Sequence, residues 1–481
     1  MKAIQGASVT PLLPVAVSLM AGIAVGNWWM PGFPLPVVLV GALAVALACR
    51  HWPLAQSIAI YLCCMVTGMA LMLLQHDREG QRWGCELEAV VMSEPAERPK
   101  TIGVDLLVPQ AGGRTLRCYL WKDERSRALR LGDELVVCSH ANDTRAGTGA
   151  APIFARNGDW HLGGTALSQL SRWQRSRLWF LKQRHKLLEC YQGLNLDADT
   201  YAVLAAMTLG DKSAQTSELR ETYAASGASH VLAISGLHVG IVYMMLTWLM
   251  LGRRRFWLSQ VLTVSAIWAF ALLTGLSSSV TRAATMISIY ALFAARCGRQ
   301  SPINVLCFAA IVMLVADAQT LFNVSFQLSF SAVLAILAFM PLLQGFYQPQ
   351  NIPLKWVWNL GLLSLCAQLG VAPLIVYYFG HFSTYFLLSN FLVIPAATLI
   401  LYAALASLLF PPASIVLLYA VRAMNGGLRI IASLPGASLE GLSPTPLQVA
   451  LMYIVTVLCY LTLRKLAQIF VRESPRQSVS P

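Results

Sequence analysis

Ser235 and His238 are the pair in this chain whose types and spacing best permit chemistry. Three residues apart on one helix, a hydroxyl and an imidazole can approach each other. A serine nucleophile needs a base within hydrogen-bond reach and donors for an oxyanion. His381 is a second base to consider, although nothing in the spacing demands it. His230 and His238 offer two imidazoles to a metal, but eight residues along a helix separate them by about 12 Å, too far for one ion. No CxxC or Cys/His ligand spacing supports zinc, and no Walker A motif supports nucleotide hydrolysis. The expectation is therefore no metal and no cofactor, with an intramembrane serine hydrolase using Ser235 as one alternative and a small-solute transporter as another.

The element that must position these residues is the stretch 229–240, which opens a long apolar segment. A helix that only faces lipid has no use for two histidines, a serine and two glycines. Helical periodicity puts His230, Ile234 and His238 on one stripe. Gly236 and Gly240 form a GxxxG on a neighbouring face, which predicts close approach of another helix.

The whole chain fits a membrane setting. Of 481 residues, 57% are apolar and 12% charged, where soluble proteins run near 45–50% and about 25%. Apolar segments at 8–30, 34–49 and 54–75 come first. Nine more follow at 230–251, 257–274, 280–297, 302–316, 324–343, 355–379, 385–410, 412–433 and 446–463. Lys2, Arg50, Arg253 to Arg255, Arg296, Arg299, Lys355, Arg464 and Lys465 all fall on one side of this path. The positive-inside rule then puts both termini in the cytoplasm. The segment 412–433 carries Arg422 and Arg429, yet must cross if the last helix is to end inside. The formal charge of +13 first reflects this orientation and secondarily an anionic partner.

Several polar residues sit where lipid is expected. Arg282 follows a Gly-containing break at 273–282 and is either part of a polar path or an arginine snorkelling to the interface. Asn323, Gln327 and Ser331 share one helical stripe, and Ser325 and Ser329 a neighbouring one. Gln368 and Asn390 pose the same choice between interhelical hydrogen bonds and a wet path. Together they predict a lumen, because irregular backbone at membrane depth is tolerated only inside protein or around water.

Residues 84–165 differ in character. Short alternating runs at 86–92, 102–108, 114–121, 134–139 and 159–162 predict five strands. Leu116, Cys118 and Leu120 point one way; Arg117, Tyr119 and Trp121 point the other. The fold class is a polytopic α-helical membrane protein with an inserted small β-barrel, OB-like and extracytoplasmic. On it, Tyr119, Trp121, Lys122 and Arg125 are candidates for single-stranded nucleic acid, the alternative being a solvated strand end and loop. Cys85, Cys118 and Cys138 lie here, and two of them can pair in an oxidising compartment. The basic, aromatic stretch 168–191, with Arg172 and Arg175, reads as an amphipathic helix on the membrane surface that can also touch a polyanion. Residues 195–228 predict two short helices broken at 210–212. The expected divisions are 1–78 (anchors), 84–165 (OB-like), 166–228 (amphipathic and juxtamembrane helices), 229–472 (channel region) and 473–481 (cytoplasmic tail).

These segments resemble the ComEC competence proteins, inner-membrane channels for DNA uptake in natural transformation. The likeness rests on SHVLAISGLHVG (229–240), the upstream Gly210-Asp211-Lys212, LTGLSSSVTRAATM (273–286), and long matches at 304–333 and 367–395. The order of anchors, OB-like module and channel region is also the family's. The resemblance implies that single-stranded DNA, handed over by an extracytoplasmic receptor, passes through the helices to a cytosolic translocase or helicase. It implies DNA path or gate roles for His230, Ser235, Gly236, His238, Arg282, Gln327 and Asn390, with phosphate attraction at Arg282. Many relatives continue into a metallo-β-lactamase-like domain. This chain ends at Pro481, and none of its eight histidines forms an HxHxDH cluster. The expectation is thus no enzyme activity and a separate nuclease. The stretch 150–158 follows the family pattern only loosely. A single chain and a homodimer are both open.

Overall fold

In the computed structural model, the described residues are 10–28, 40–41, 43–45, 48, 51–79, 86–111, 113–138, 153–156, 158–250, 256–296 and 301–473. The expected span 34–49 falls mostly outside them, as do Lys2, Arg50, Cys85, Arg253 to Arg255, Arg299, the whole of 139–152 and nearly all of the tail 473–481. Apolar runs close into helices, since a bilayer offers no water to backbone groups. The chain begins with α1 (Leu12–Trp28) and α2 (Pro53–Glu79). Strands β1 (Glu86–Val91), β2 (Ala96–Glu97), β3 (Thr101–Val108) and β4 (Arg114–Trp121) follow. A short α3 (Glu124–Arg127) precedes β5 (Glu134–Cys138), β6 (Ile153–Ala155) and β7 (Trp160–Leu162). Then come α4 (Ala166–Gln169), α5 (Arg172–Gln192), α6 (Ala198–Thr208) and α7 (Ser217–Ala225). The apolar part comprises α8 (Gly236–Met250), α9 (Phe256–Leu273), α10 (Ser278–Arg296), α11 (Pro302–Ala316), α12 (Val324–Phe346) and α13 (Ile352–Phe379). It ends with β8 (Phe382–Ser383), α14 (Phe386–Leu409), α15 (Ser414–Ala432), β9 (Ser438–Leu439) and α16 (Pro446–Glu473).

Among the described residues, α2, α12, α13, α14, α15 and α16 are each long and apolar enough to cross a membrane. The protein is a multi-pass helical membrane protein. Its tightest helix pair is α1 on α2. A Cβ at Gly22 would run into the Met65 carbonyl, one at Gly26 would press on Met69, and one at Gly68 would meet Leu19. This is the small-residue packing that membrane helices use. The expected GxxxG at Gly236 and Gly240 does not work this way. A Cβ at Gly236 would only touch Ala283 at 3.8 Å, and one at Gly240 meets nothing within 4 Å. The pair α1–α2 is in turn docked on the chain beyond it: the Gln75 amide donates to Asp317 at 2.5 Å and accepts from the Ala318 N–H at 3.0 Å.

All five expected strands form, and β2 and β6 add to them. The seven-stranded sheet runs β6-β4-β3-β1-β5-β7, with β2 on β3. The pair β4–β6 is parallel and the others are antiparallel. The two outermost strands are consecutive in the chain. Leu116, Cys118 and Leu120 are buried as the alternation requires, in one core with Leu87, Val104, Leu135 and Trp160. Cys118 and Cys138 are both free. Burial pushes the Cys118 thiol up to about 12, so it stays protonated and inert.

Helix α5 does not lay its apolar face on lipid. Leu178 and Leu181 pack on Val90, Met92 and Leu107 of the sheet. Leu188 and Tyr191 pack with α6, α14 and α15. Trp173, near its start, is exposed. The apolar residues of the helix are thus divided between two protein cores. Its N-terminus is closed by a capping box between Ser171 and Gln174.

Helix α6 is buried from Ala202 to Thr208. Its start explains the two arginines of α15. Arg422 pairs with Asp197 at 3.0 Å and Arg429 with Asp199 at 3.1 Å. Burial pushes the Asp197 carboxyl up, but hydrogen bonds from Thr200 and Arg422, together with the guanidinium charge, outweigh it and hold the carboxyl below its usual range.

Two outcomes follow. Gly22→Val forces side-chain volume against backbone and is expected to cost about 1–3 kcal/mol, read as a lowered melting temperature of the purified protein. Asp197→Asn keeps the helix cap but removes the charge. Its folded-state value is depressed, so the wild-type carboxylate stabilises above its unfolded value, near 3.9, and loses that contribution as pH falls through the folded one. The melting-temperature gap between wild type and Asp197→Asn is expected to be open at pH 7 and to close in acid.

Candidate functional site

The stretch 229–240 is not one helix. Ser229–Val231 forms a single 3-10 turn, and α8 starts only at Gly236. His230 therefore does not share a helical stripe with His238. The cause lies in the side chains. The Ser235 N–H donates to His238 Nδ1 at 3.2 Å, and Ser235 Oγ lies 3.0 Å from the same nitrogen. The Ser235 carbonyl accepts the His238 N–H at 3.1 Å. This is the return half of a capping box, with imidazole in the part usually played by Glu or Gln, while the Ser235 hydroxyl turns to the ring and not to the His238 N–H. Accepting a backbone N–H fixes Nδ1 as unprotonated and puts the ring hydrogen on Nε2. That nitrogen is buried without a partner, and His238 is 0% exposed. A nucleophilic serine needs a base that a further group orients. Among the described residues none is bonded to Nε2, and His381 bonds the Phe379 carbonyl instead. Ser235 and His238 end a loop and begin a helix. No described cluster of His, Cys, Asp or Glu is built to hold a metal.

Other elements hold the irregular backbone before α8. Gln215 Nε2 donates to the Leu232 carbonyl at 3.0 Å. Ser389 Oγ of α14 donates to the Ser226 carbonyl at 2.6 Å. Tyr223 donates to Asn425 Oδ1 of α15 at 2.6 Å, in a fully buried contact. Gly227 ends α7 at φ +79°, and a Cβ there would sit 2.8 Å from Ser383. Only glycine meets both conditions.

This packing leaves a cavity of about 880 Å³ between the 3-10 turn, the start of α12, α13 and the α13–α14 connection. Its polar wall includes Lys212, His230, Asn323, Ser325, Gln368 and His381, and among the described residues contains no Asp or Glu. Of the path residues read from sequence, His230 lines it directly. Arg282 is not on the wall itself but lies behind it, its Nη2 donating at 2.9 Å to Ser325, which is. At 4% exposure it is buried, and it does not snorkel. Gln327 is turned to the Leu321 carbonyl (3.0 Å) and Tyr378 (2.7 Å). Asn390 is on α14 with its Oδ1 buried and unpartnered. Ser235, Gly236 and His238 are not on this wall.

The sheet candidates are divided. Trp121, Arg125, Arg172 and Arg175 are exposed, although Arg175 also bonds the Ser168 carbonyl at 2.9 Å. Tyr119 is stacked on Phe154 at 5.2 Å and lies under Arg98. Lys122 is tied to Glu97 at 2.8 Å and holds that carboxyl below its usual range. Phe154 went unnoticed in the sequence because β6 is only three residues long. Lys212 and Gln368 were visible as motif members, but their convergence on one cavity requires the tertiary fold.

Removing the cap is expected to be costly. His238→Ala leaves the half-buried Ser235 N–H without its partner, a loss of about 1 kcal/mol or more, while Ser235→Thr keeps the cap and stays near wild type. Melting temperatures of the two purified variants check this.

A family profile described as "Competence protein" matches residues 207–466. ComE operon protein 3 of Bacillus subtilis is 29% identical over 248 residues, covering 51% of this chain and 31% of that protein. An uncharacterized protein of Aquifex aeolicus is 30% identical over 193 residues, 40% of this chain and 44% of its own length. Competence protein ComA of Neisseria gonorrhoeae is 29% identical over 150 residues, 29% of this chain and 21% of that protein. The matched region thus spans less than half the length of each. No solved structure matches the chain. The profile takes in the broken helix, the cavity wall and most of the bundle, more than half of all residues, and the chain belongs to the competence protein family.

Proposed function

We propose that the protein conducts single-stranded DNA across the inner membrane during natural transformation. The observation that carries this reading is the cavity of about 880 Å³ whose wall holds a lysine, two histidines and uncharged polar groups but no described carboxylate. A polyanion is repelled by acidic walls and tolerates this one. The names of the Bacillus and Neisseria relatives, a ComE operon protein and a competence protein, support it.

The sheet is read as an OB-like module at the outer mouth. Supporting this, β1, β3 and β4 form a meander, β5 returns antiparallel to β1, and β6 joins β4 in parallel while β7 joins β5. A five-stranded barrel whose last strand is split between β6 and β7 has that order. Trp121, Arg125, Arg172 and Arg175 are its DNA contacts. The orientation rests on charge. Lys355 starts α13, which ends at the cavity, so it lies at the far end of that helix. Arg464 and Lys465 fall in the last third of α16. The positive-inside rule places that end in the cytoplasm. A receptor outside, a cytosolic translocase or helicase and a separate nuclease complete the pathway. The divisions 1–78, 84–165, 166–228, 229–472 and 473–481 remain the working domain scheme.

The test is arrival of labelled DNA in the cytoplasm of cells lacking the protein and any second homologue. Wild type is expected to restore it. Ala233→Trp, which narrows the cavity from its wall, is expected to cut it by about tenfold or more, equivalent to at least about 1.4 kcal/mol on the passage barrier. Ser235→Thr is expected to retain it. Normal cytoplasmic arrival without the protein overturns the reading.

A further inference from the structure

Arg282 has a charge that nothing nearby neutralises. It is 4% exposed, its Nε is buried without a partner, and no ion pair joins it to any described carboxylate. Its one hydrogen-bond partner is Ser325 Oγ. An isolated buried charge costs several kcal/mol unless it is paired, and a long side chain near the membrane interface is free to turn to water instead. This one turns inward, toward the head of another helix.

Ser325 is the second residue of α12, a helix of 23 residues. Asn323 caps it, with its Oδ1 accepting the Ser325 N–H at 2.9 Å. The first turn of a helix carries the positive end of its dipole and favours an anion. Asn323, Val324 and Ser325 all line the cavity. The guanidinium thus sits one hydrogen bond behind the Ser325 hydroxyl, at a helix N-terminus whose first residues line a wall without described carboxylates.

We infer that the head of α12 with Arg282 forms a phosphate subsite, taking the backbone phosphodiester of a strand in the cavity; this rests on the channel reading. Arg282 supplies charge and fork-shaped donors, Ser325 orients it, and the helix end adds its dipole. The subsite reads phosphate and not base, so it is indifferent to sequence. The strand's own charge replaces the missing carboxylate.

The test uses the full chain in nanodiscs, with inorganic tripolyphosphate and a fluorescent oligothymidylate as probes. Tripolyphosphate is expected to stabilise the wild type thermally and to compete with the oligonucleotide. Arg282→Gln is expected to weaken tripolyphosphate about tenfold or more, and to lower the slope of log affinity against log salt for the oligonucleotide by about 0.7. Arg282→Lys is expected to recover part of both. Ser325→Ala, which leaves the charge in place, guards against misfolding and is expected to lose a few-fold. Unchanged tripolyphosphate affinity and salt slope in Arg282→Gln overturn the subsite. If that variant also blocks DNA uptake, Arg282 is structural and the channel reading stands. If wild type restores no uptake, the channel reading itself fails. Nanodiscs of phosphatidylcholine with and without phosphatidylglycerol separate the source of phosphate: tripolyphosphate binding abolished by phosphatidylglycerol assigns the spot to lipid headgroups and overturns the proposal.

Discussion

Non-helical backbone within a bundle of membrane helices survives only if its polar groups find partners inside the protein. The chain between Ser226 and Gly236 meets this condition with groups borrowed from elsewhere. Gln215 reaches Leu232, Ser389 reaches Ser226, and His238 folds back to Ser235. Each unpaired carbonyl or N–H would otherwise cost about 1–3 kcal/mol. The bonds come from the break before α7, from α14 and from α8 itself. The segment therefore holds its shape only when the bundle is assembled. The cavity, the position of His230 and the spacing of α8 from α12 all depend on this stitching.

Much of the architecture was legible because bilayer physics is simple. Long apolar runs became helices, and α12 to α14 begin or end within a few residues of their expected limits. Period-two alternation found five strands, and Gly227 ended α7 as a glycine with positive φ does. The errors arose where side chains overrode periodicity. A repeat of four placed His230 with His238, but periodicity assumes a continuous helix, and the capping imidazole starts a new one at Gly236. A GxxxG motif at Gly236 was taken as a packing seam. The working seam is Gly22 with Gly26, opposite Gly68. Spacing is the same in both; only the partner helix tells them apart.

The site was legible by residue type and not by role. Arg282 and His230 stood out as polar groups in apolar surroundings, and both bear on the cavity. Ser235 and His238 stood out for the same reason and serve the backbone. Both uses need the same chemistry, a buried donor or acceptor, so sequence alone does not separate them. Arg422 and Arg429 looked anomalous in a span until Asp197 and Asp199 appeared opposite them. Those partners lie more than two hundred residues away in sequence, beyond the reach of local pattern.

Helix α5 joins two cores that otherwise share little. Its 21 residues make a rod of about 32 Å, with Leu178 and Leu181 gripped by the sheet and Leu188 and Tyr191 by the bundle. A rod clamped at both ends transmits force with little slack. A lateral load on the sheet becomes a tilt of α5, and so a torque on α6 and the helices packed around it. The placement of the sheet on the bundle therefore depends on the seating of this one helix at both of its ends.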